Sequence, residues 1–145
     1  MRISDILRVK GDRVVTVQPT ADVTQLLTLL AEHKIGALIV SADGARVDGI
    51  VSERDVVRAL AARGAAVLTE PVSNIHTVQV RSVAPEAPIE EVERLMTDNR
   101  FRHVPVVENG ALKGVVSIGD VVKNRIDELE AERSSLTGYI TGERV

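Results

Sequence analysis

Two stretches of the chain match each other closely: GIVSERDVV at Gly49–Val57 and GVVSIGDVV at Gly114–Val122. In each, a glycine and a β-branched run lead into Ser-x-x-Asp, which predicts a strand that ends where a helix begins. The two stretches lie 65 residues apart. A match of this length in the same order indicates an internal duplication, so the rest of the chain can be compared copy against copy.

The duplication extends upstream of these stretches. Thr16–Val40 aligns with Ser82–Val106 at an offset of 66 residues, which places Pro19 over Pro85. The short segments RISDIL, near the start, and PVSNIH, at Pro71–His76, also match. The repeat therefore covers most of residues 1–125, and only the C-terminal tail has no counterpart.

Each copy has the same predicted elements in the order β-α-β-β-α. A β-branched run predicts the first strand, at Val14–Val17 and at Val78–Val83. Apolar residues at helical spacing follow, with Asp22 as a cap in copy one. A hairpin then turns through Asp-Gly or Asn-Gly, and a second helix follows, ending near Gly64 in copy one. A unit of roughly 60 residues buries too little surface alone, so we expect the copies to share a core.

Composition excludes several classes of protein. The chain has no cysteine, which excludes disulfides and thiol chemistry, and its three histidines are too dispersed to suggest a metal site. Few aromatics and a net charge of −3 disfavour nucleic acid as the main partner. Charged residues interrupt the N-terminal region, and the apolar runs are only strand-length, so neither a signal peptide nor a membrane span is expected. We expect a cytoplasmic protein.

The Ser-x-x-Asp motif, at Ser52–Asp55 and Ser117–Asp120, has two interpretations. A carboxylate at the start of a helix can accept both hydrogen bonds of a ribose diol, and the serine and the free N–H groups suit a phosphate. The same pattern is also a helix cap, with Asp at the third helical position. The motif alone leaves both interpretations open.

The order strand-Pro-helix-hairpin-helix, with G-[IV]-V-S-x-x-D closing each copy, resembles a tandem pair of cystathionine-β-synthase-type (CBS) domains, or Bateman module, of the stand-alone bacterial signal-transduction type. The resemblance implies an α/β (α+β) fold of two β-α-β-β-α CBS repeats packed with pseudo-two-fold symmetry, plus a C-terminal helix. It divides the chain into CBS domain 1 at residues 1–66 (core 14–63), CBS domain 2 at 67–128 (core 78–125), and a C-terminal helix or tail at 129–145.

The resemblance also implies a function. It is that of a non-catalytic regulatory module that binds an adenine nucleotide in the cleft between the repeats and senses energy or metabolite state. AMP is the first expected ligand, with ADP, ATP or NAD as alternatives, and no cofactor is required. A homodimer is expected, since Val122, Ile126 and Leu129 fall near one helical stripe, and an unidentified protein effector is a further expected partner. The competing interpretation is a ligand-free protein–protein interaction module.

Ligand-binding positions carry over from the family, where each pocket is built across the two copies. Ser117 and Asp120 are paired with positions of copy one, and Ser52 and Asp55 with positions of copy two. The copy-one positions are Thr16, Ala21, Ile35, Gly36 and Ala37, and the copy-two positions are Ser82, Ala87, Phe101, Arg102 and His103.

The copies differ where copy two has Arg102-His103 and copy one has Gly36-Ala37. An arginine fork beside a histidine is a competent phosphate clamp, although a solvated basic patch is the alternative. We therefore expect two unequal sites, the stronger one built from Asp55 with the Arg-His pair.

Three further site residues each have two interpretations. Arg54 could reach a phosphate or pair on the surface with Glu53 or Asp55, and its counterpart in copy two is Gly119. Ile35 and Phe101 are either adenine contacts, by resemblance, or residues at the edge of the core.

Overall fold

A computed structural model of the chain describes residues 1–11 and 14–140, with side chains through residue 138. The elements follow the duplicated order, each copy preceded by a short helical segment. They are α1 (Ile3–Lys10), β1 (Thr16–Val17), α2 (Val23–His33), β2 (Ala37–Val40), β3 (Gly49–Ser52), α3 (Glu53–Arg63), α4 (Ile89–Asn99), β4 (His103–Glu108), β5 (Ala111–Ser117) and α5 (Ile118–Ile140), with 3-10 helices at Gly64–Thr69 and Val72–Asn74.

The strands form two small sheets, one in each copy. In copy one, β1 runs parallel to β2, and β2 is antiparallel to β3. In copy two, β4 and β5 form an antiparallel hairpin, whose turn residues Asn109 and Gly110 both have positive φ. The Asn-Gly pair suits this turn because both positions need the left-handed region. The predicted α/β fold of two repeats is confirmed.

The prediction of a strand at Val78–Val83 is wrong, because most of these residues form the link between the two copies. Thr77 forms a bridge with Ile50 of copy one, whereas Val83 forms a parallel bridge with Val106 of copy two. Residues 78–82 cross from one sheet to the other, so they extend neither ladder despite their β-branched side chains. In copy one, the strand predicted at Val14–Val17 is also shorter in the structure, where β1 covers only Thr16–Val17.

Helix boundaries follow the predicted signals more closely. Asp22 caps α2 by accepting a hydrogen bond from the Gln25 N–H at 2.8 Å, as predicted. Gly64 follows the last residue of α3, also as predicted. Lys34 and Arg100, at equivalent positions of the repeat, end α2 and α4 in the left-handed conformation.

The expectation of one shared core is wrong, because each copy has its own buried cluster. Each cluster, however, is completed by the segment that precedes the other copy. Ile3 and Ile6 of α1, which precedes copy one, are buried in the cluster of copy two. Val67 and Val72, which precede copy two, are buried in the cluster of copy one. We call this arrangement the segment exchange.

Backbone hydrogen bonds repeat the segment exchange in both copies, which shows that it belongs to the duplicated architecture. One buried residue of each segment donates its N–H to an alanine carbonyl of the other copy, and the first residue of the helix after that alanine donates its N–H back to the segment. The equivalent pairs are Ile3 to Ala87 (2.9 Å) and Val72 to Ala21 (2.7 Å), then Ile89 to Met1 (3.1 Å) and Val23 to Glu70 (3.0 Å).

The segment exchange also explains the glycine that opens each copy of the quoted motif. A Cβ added to Gly114 would lie 2.6 Å from the Leu7 side chain of α1. At the equivalent Gly49, a Cβ would lie 2.7 Å from His76 Nδ1 and 2.8 Å from the Thr77 carbonyl. A side chain at position 49 would meet a backbone carbonyl that cannot yield, and one at position 114 would force the Leu7 side chain to shift, so both glycines allow the segments to cross the strands closely.

The C-terminal segment predicted from residue 129 continues α5 without a break as far as Ile140. The boundary expected after residue 128 therefore falls inside one helix, and residues 141–145 lie outside the described range. Val122, Ile126, Leu129 and Leu136 on this helix are each about half exposed or more. Within the described residues, no helix combines the length and the apolar character that a membrane span needs.

Replacing Ile3 with alanine should lower the free energy of unfolding by about 2–5 kcal/mol, because the change opens a cavity in the core of copy two. Val9 on the same helix is 82% exposed, so Val9→Ala should cost less than about 0.5 kcal/mol. Denaturant unfolding followed by circular dichroism measures both. Equal midpoints for the two variants would show that α1 does not support that core.

Candidate functional site

A cleft of about 1010 Å³ lies between the two copies. Copy one contributes the end of β3 and the start of α3, and copy two contributes the approach to β4 and the start of α5. Nine of the fifteen residues predicted for the site line it, five from copy one and four from copy two. These nine are Gly36, Ala37, Ser52, Arg54, Asp55, Phe101, Arg102, His103 and Ser117.

The remaining predicted residues lie elsewhere. Thr16 and Ala21 line a separate groove of about 590 Å³ beside β1 and α2. Ala87 is buried in the core of copy two, and its carbonyl, like that of Ala21, accepts a hydrogen bond of the segment exchange. Ser82 and Ile35 are exposed outside the cleft lining. The exchanged segments hydrogen-bond to the backbone at Ala21 and Ala87, and the sequence did not reveal this exchange.

Both interpretations of Ser52–Asp55 are compatible in the structure. Asp55 Oδ2 accepts hydrogen bonds from the Ser52 N–H at 2.8 Å and from the Ser52 hydroxyl at 3.1 Å. The Asp55 N–H donates to Ser52 Oγ at 3.3 Å, which completes a capping box. Capping thus involves Oδ2, while Oδ1 accepts no hydrogen bond from any described residue, so this oxygen can receive a ligand hydroxyl.

Asp120 has the same capping geometry, but it also has a cationic partner. Its Oδ2 accepts hydrogen bonds from the Ser117 N–H at 2.8 Å and from Lys10 Nζ at 2.8 Å. Lys10 also donates to the carbonyl of Val115 at 2.7 Å. Burial alone would raise the pKa of Asp120, but the hydrogen bonds from Lys10 and Ser117 outweigh burial and lower it below its ordinary value.

Sequence reasoning missed Lys10 because α1 was not predicted. The available signal was the match between RISDIL and PVSNIH, which marks the segment ahead of copy one as part of the repeat. That match indicates that α1 packs in the same way as the segment ahead of copy two.

His103 lies where the two copies meet. A Cβ built on Gly36 of copy one would lie 3.5 Å from Glu53 Oε1 and 3.7 Å from His103 Cε1. Burial lowers the pKa of His103 below 6.5, and the positive charge of Lys10 lowers it further, against the opposing charges of Asp120 and Glu53. The imidazole is therefore mainly neutral at pH 7, and the positive charge of the predicted clamp comes from Arg102.

Arginine side chains dominate the charge of the cleft. Its lining includes five arginines and two carboxylates, Glu53 and Asp55, although the whole chain carries a net charge of −3. Within residues 1–11 and 14–140, none of the five arginines forms an ion pair. This excludes, for the described residues, the pairing of Arg54 with Glu53. The five are Arg54, Arg58, Arg81, Arg100 and Arg102.

Three of these arginines were not predicted, and each had a signal. Arg58 follows Arg54 by one helical turn on α3, so the two share a face. Arg100 is the left-handed residue that ends α4, equivalent to Lys34. Arg81 belongs to the link that was predicted as a strand. Unpaired cations that converge on one cleft attract an anionic ligand.

Comparisons with known proteins agree with this architecture. The CBS domain family matches the chain twice, at residues 3–62 and 72–127. A mitochondrial CBS domain-containing protein of Arabidopsis thaliana is 34% identical over 151 residues, covering 97% of this chain and 72% of the relative.

Two solved structures are also similar. A CBS-domain containing protein from Agrobacterium tumefaciens is 46% identical, with a TM-score of 0.82, over 86% of this chain and 99% of that one. A CBS domain protein from Pyrobaculum aerophilum, solved in complex with AMP, is 32% identical, with a TM-score of 0.74, over 83% of this chain and 89% of that one.

Two duplicated units, each with two helices and a β-hairpin, meet at an arginine-lined cleft and define a tandem regulatory module. The chain belongs to the CBS domain family, with one CBS domain in each copy. The resemblance drawn from the sequence is confirmed.

Lowering the pH from about 7.5 to about 5.5 should reduce stability through His103. Its pKa is below 6.5 in the folded chain, so the unfolded chain takes up the proton first as the pH falls. The stabilisation is complete above about pH 6.5 and is lost as the pH falls through the folded pKa. Thermal melts at closely spaced pH values should show a smaller slope for His103→Gln than for the wild type.

The matched control for this measurement is His33→Gln, which makes the same substitution in α2, outside the cleft. An unchanged slope in the His103 variant would contradict the assignment.

Proposed function

We propose that the protein is a non-catalytic regulatory module that binds an adenine nucleotide, AMP first among the candidates, in the cleft between its CBS domains. The observation that carries the proposal is the Asp55 carboxylate, which has one oxygen without a described partner and faces a cleft with five unpaired arginines. A ribose phosphate offers both complements, a diol for the carboxylate and an anion for the guanidinium groups.

The dimensions and chemistry of the cleft support a nucleotide rather than a simple anion. Its volume of about 1010 Å³ lies at the upper end of the roughly 300–1,000 Å³ range of small-molecule sites. Arg102 offers a planar fork for a phosphate, and a charge-assisted hydrogen bond of this kind contributes about 1.5–3 kcal/mol. Neutral His103 offers one N–H donor and one acceptor beside it.

The choice of AMP rests on the related Pyrobaculum protein, which was solved in complex with AMP. Five arginines can also satisfy more than one phosphate, so ADP, ATP and NAD are the competing ligands. The proposed role is regulation, because a ligand that bridges two domains shifts the equilibrium between their arrangements in favour of the one it binds more tightly. The competing function is a ligand-free interaction module.

Asp55→Ala should abolish the tighter AMP-binding event, whereas Asp120→Ala should keep it. Each change removes one capping carboxylate, which costs about 1 kcal/mol of stability, and Asp120→Ala also removes the ion pair with Lys10. Isothermal titration calorimetry of the wild type should give a micromolar dissociation constant, roughly −8 kcal/mol. The wild type should also be titrated with ADP, ATP and NAD.

Loss of binding in Asp120→Ala alone would show that the cross-copy pairing is wrong. Equal losses in both variants would mean equivalent or coupled sites. No heat with any of the four ligands at millimolar concentration would favour the interaction module.

We further propose that the functional unit is a homodimer that pairs through α5. Val122, Ile126, Leu129 and Leu136 share one face of this helix and are 49–63% exposed. The stripe continues past the contacts of α5 with its own domain, and an isolated helical segment of this length is marginal in water without a partner.

Light scattering at tens of micromolar should show a dimer for the wild type and a monomer for Leu129→Glu, because a buried unpaired carboxylate opposes association. Ala131→Glu, on the opposite face of α5, should remain a dimer. A monomeric wild type, or a Leu129→Glu variant that stays dimeric, would contradict the proposed interface.

A further inference from the structure

We propose that Lys10 closes the half of the cleft that contains Asp120, so that the chain binds one nucleotide, at the Asp55 half, and gains a second site when Lys10 is removed. The inference rests on the proposed function. It adds a residue of α1, outside both copies of the motif, that determines how many of the two equivalent positions accept a ligand.

The carbonyls of two equivalent strand residues accept hydrogen bonds from different kinds of donor in the two copies. Ile50 and Val115 occupy the same position of the repeat, 65 residues apart. The Ile50 carbonyl accepts a backbone hydrogen bond from the Thr77 N–H at 2.8 Å. The Val115 carbonyl instead accepts a hydrogen bond from Lys10 Nζ at 2.7 Å. A backbone group thus satisfies the carbonyl in copy one, and a lysine ammonium does so in copy two.

The same ammonium lies 2.8 Å from Asp120 Oδ2. No described cation lies within ion-pair distance of Asp55, its counterpart. Continuing the match between RISDIL and PVSNIH places Gln79 opposite Lys10, so copy one has a neutral amide where copy two has a charge. The two Ser-x-x-Asp motifs are therefore equal in sequence but unequal in their neighbours.

The ion pair removes Asp120 from the cleft. Asp55 lines the cleft together with Ser52, whereas on the opposite side Ser117 lines it and Asp120 does not. The Asp120 side chain is only 22% exposed beneath the lysine. Lys10 contacts Oδ2, so a ribose diol that approached the other carboxylate oxygen would meet an ammonium beside it and a carboxylate whose charge is already compensated.

The position of Lys10 is fixed by the fold. Lys10 is the last residue of α1, and α1 is anchored by Ile3 and Ile6 in the core of copy two. Leu7 of the same helix packs on Gly114, next to the strand residue that Lys10 contacts. Burial opposes the charged form of Asp120, but the hydrogen bond from Lys10 keeps its pKa below the ordinary value, so the pair stays ionised near neutral pH.

The test is a calorimetric titration with AMP of the wild type, Lys10→Met and Lys10→Arg. The wild type should bind one AMP per chain. Lys10→Met keeps the aliphatic stem and removes the charge, so it should bind two AMP molecules per chain. The second binding event is undetectable in the wild type, and it should become measurable because the affinity of this half of the cleft for AMP rises at least tenfold. Lys10→Arg keeps a cation and should bind one. Arg8→Met, on an exposed arginine of the same helix, is the control and should also bind one.

The second event in Lys10→Met should disappear when Asp120→Ala is added, which assigns it to that half of the cleft. A Lys10→Met variant that still binds one AMP, or that loses the single event, would overturn the inference; the latter would make Lys10 a ligand contact. A wild type that binds two would overturn it as well. A wild type that binds none of AMP, ADP, ATP and NAD would contradict the proposed function, and this outcome is recognised without any Lys10 variant.

Discussion

Burial of Ile3 in a core built by residues some eighty or more positions further along the chain is the contact on which the structure depends. Val72 makes the equivalent contact in copy one. Neither CBS domain can bury its apolar surface with its own segment alone, and each receives the missing part from ahead of its partner. Because the exchange crosses the interface twice, the two domains are held in one relative orientation, and the cleft between them has a defined geometry.

The cleft is organised by groups that also stabilise the fold. Capping boxes fix the two Ser-x-x-Asp carboxylates at helix starts, and each leaves one carboxylate oxygen for other partners. The link that joins the copies runs past the same cleft and adds Arg81 to its lining. The exchange brings Lys10 to only one of the two carboxylates. Near-symmetry of the backbone thus coexists with asymmetry of charge.

Local pattern was sufficient to predict most of the fold. The cap at Asp22, the stop at Gly64 and the Asn-Gly hairpin were predicted because neighbouring residues determine each of them. The strand expected at Val78–Val83 was wrong because its β-branched residues connect two sheets, and β propensity does not report whether a partner strand is available.

The same distinction applies to the site. Cross-copy assembly around Asp55 and Arg102 was carried over from the family and agrees with the lining of the cleft. Lys10 could not be inferred from its neighbours, since its contact with Asp120 spans 110 residues and depends on the segment exchange. Ala21 and Ala87, predicted as ligand contacts, do not line the cleft for a related reason, because their carbonyls accept hydrogen bonds from the exchanged segments.

The segment exchange also sets the order in which the chain can mature during synthesis. Copy one has its full complement of buried residues soon after Val72 has left the ribosome, whereas the core that α1 completes is whole only after β5 has followed. The helix α1 therefore docks late although it precedes both copies, and the long sequence separation slows that step. During this interval α1 of one nascent chain can dock on copy two of another, which gives crowded polysomes a direct route to domain-swapped assemblies.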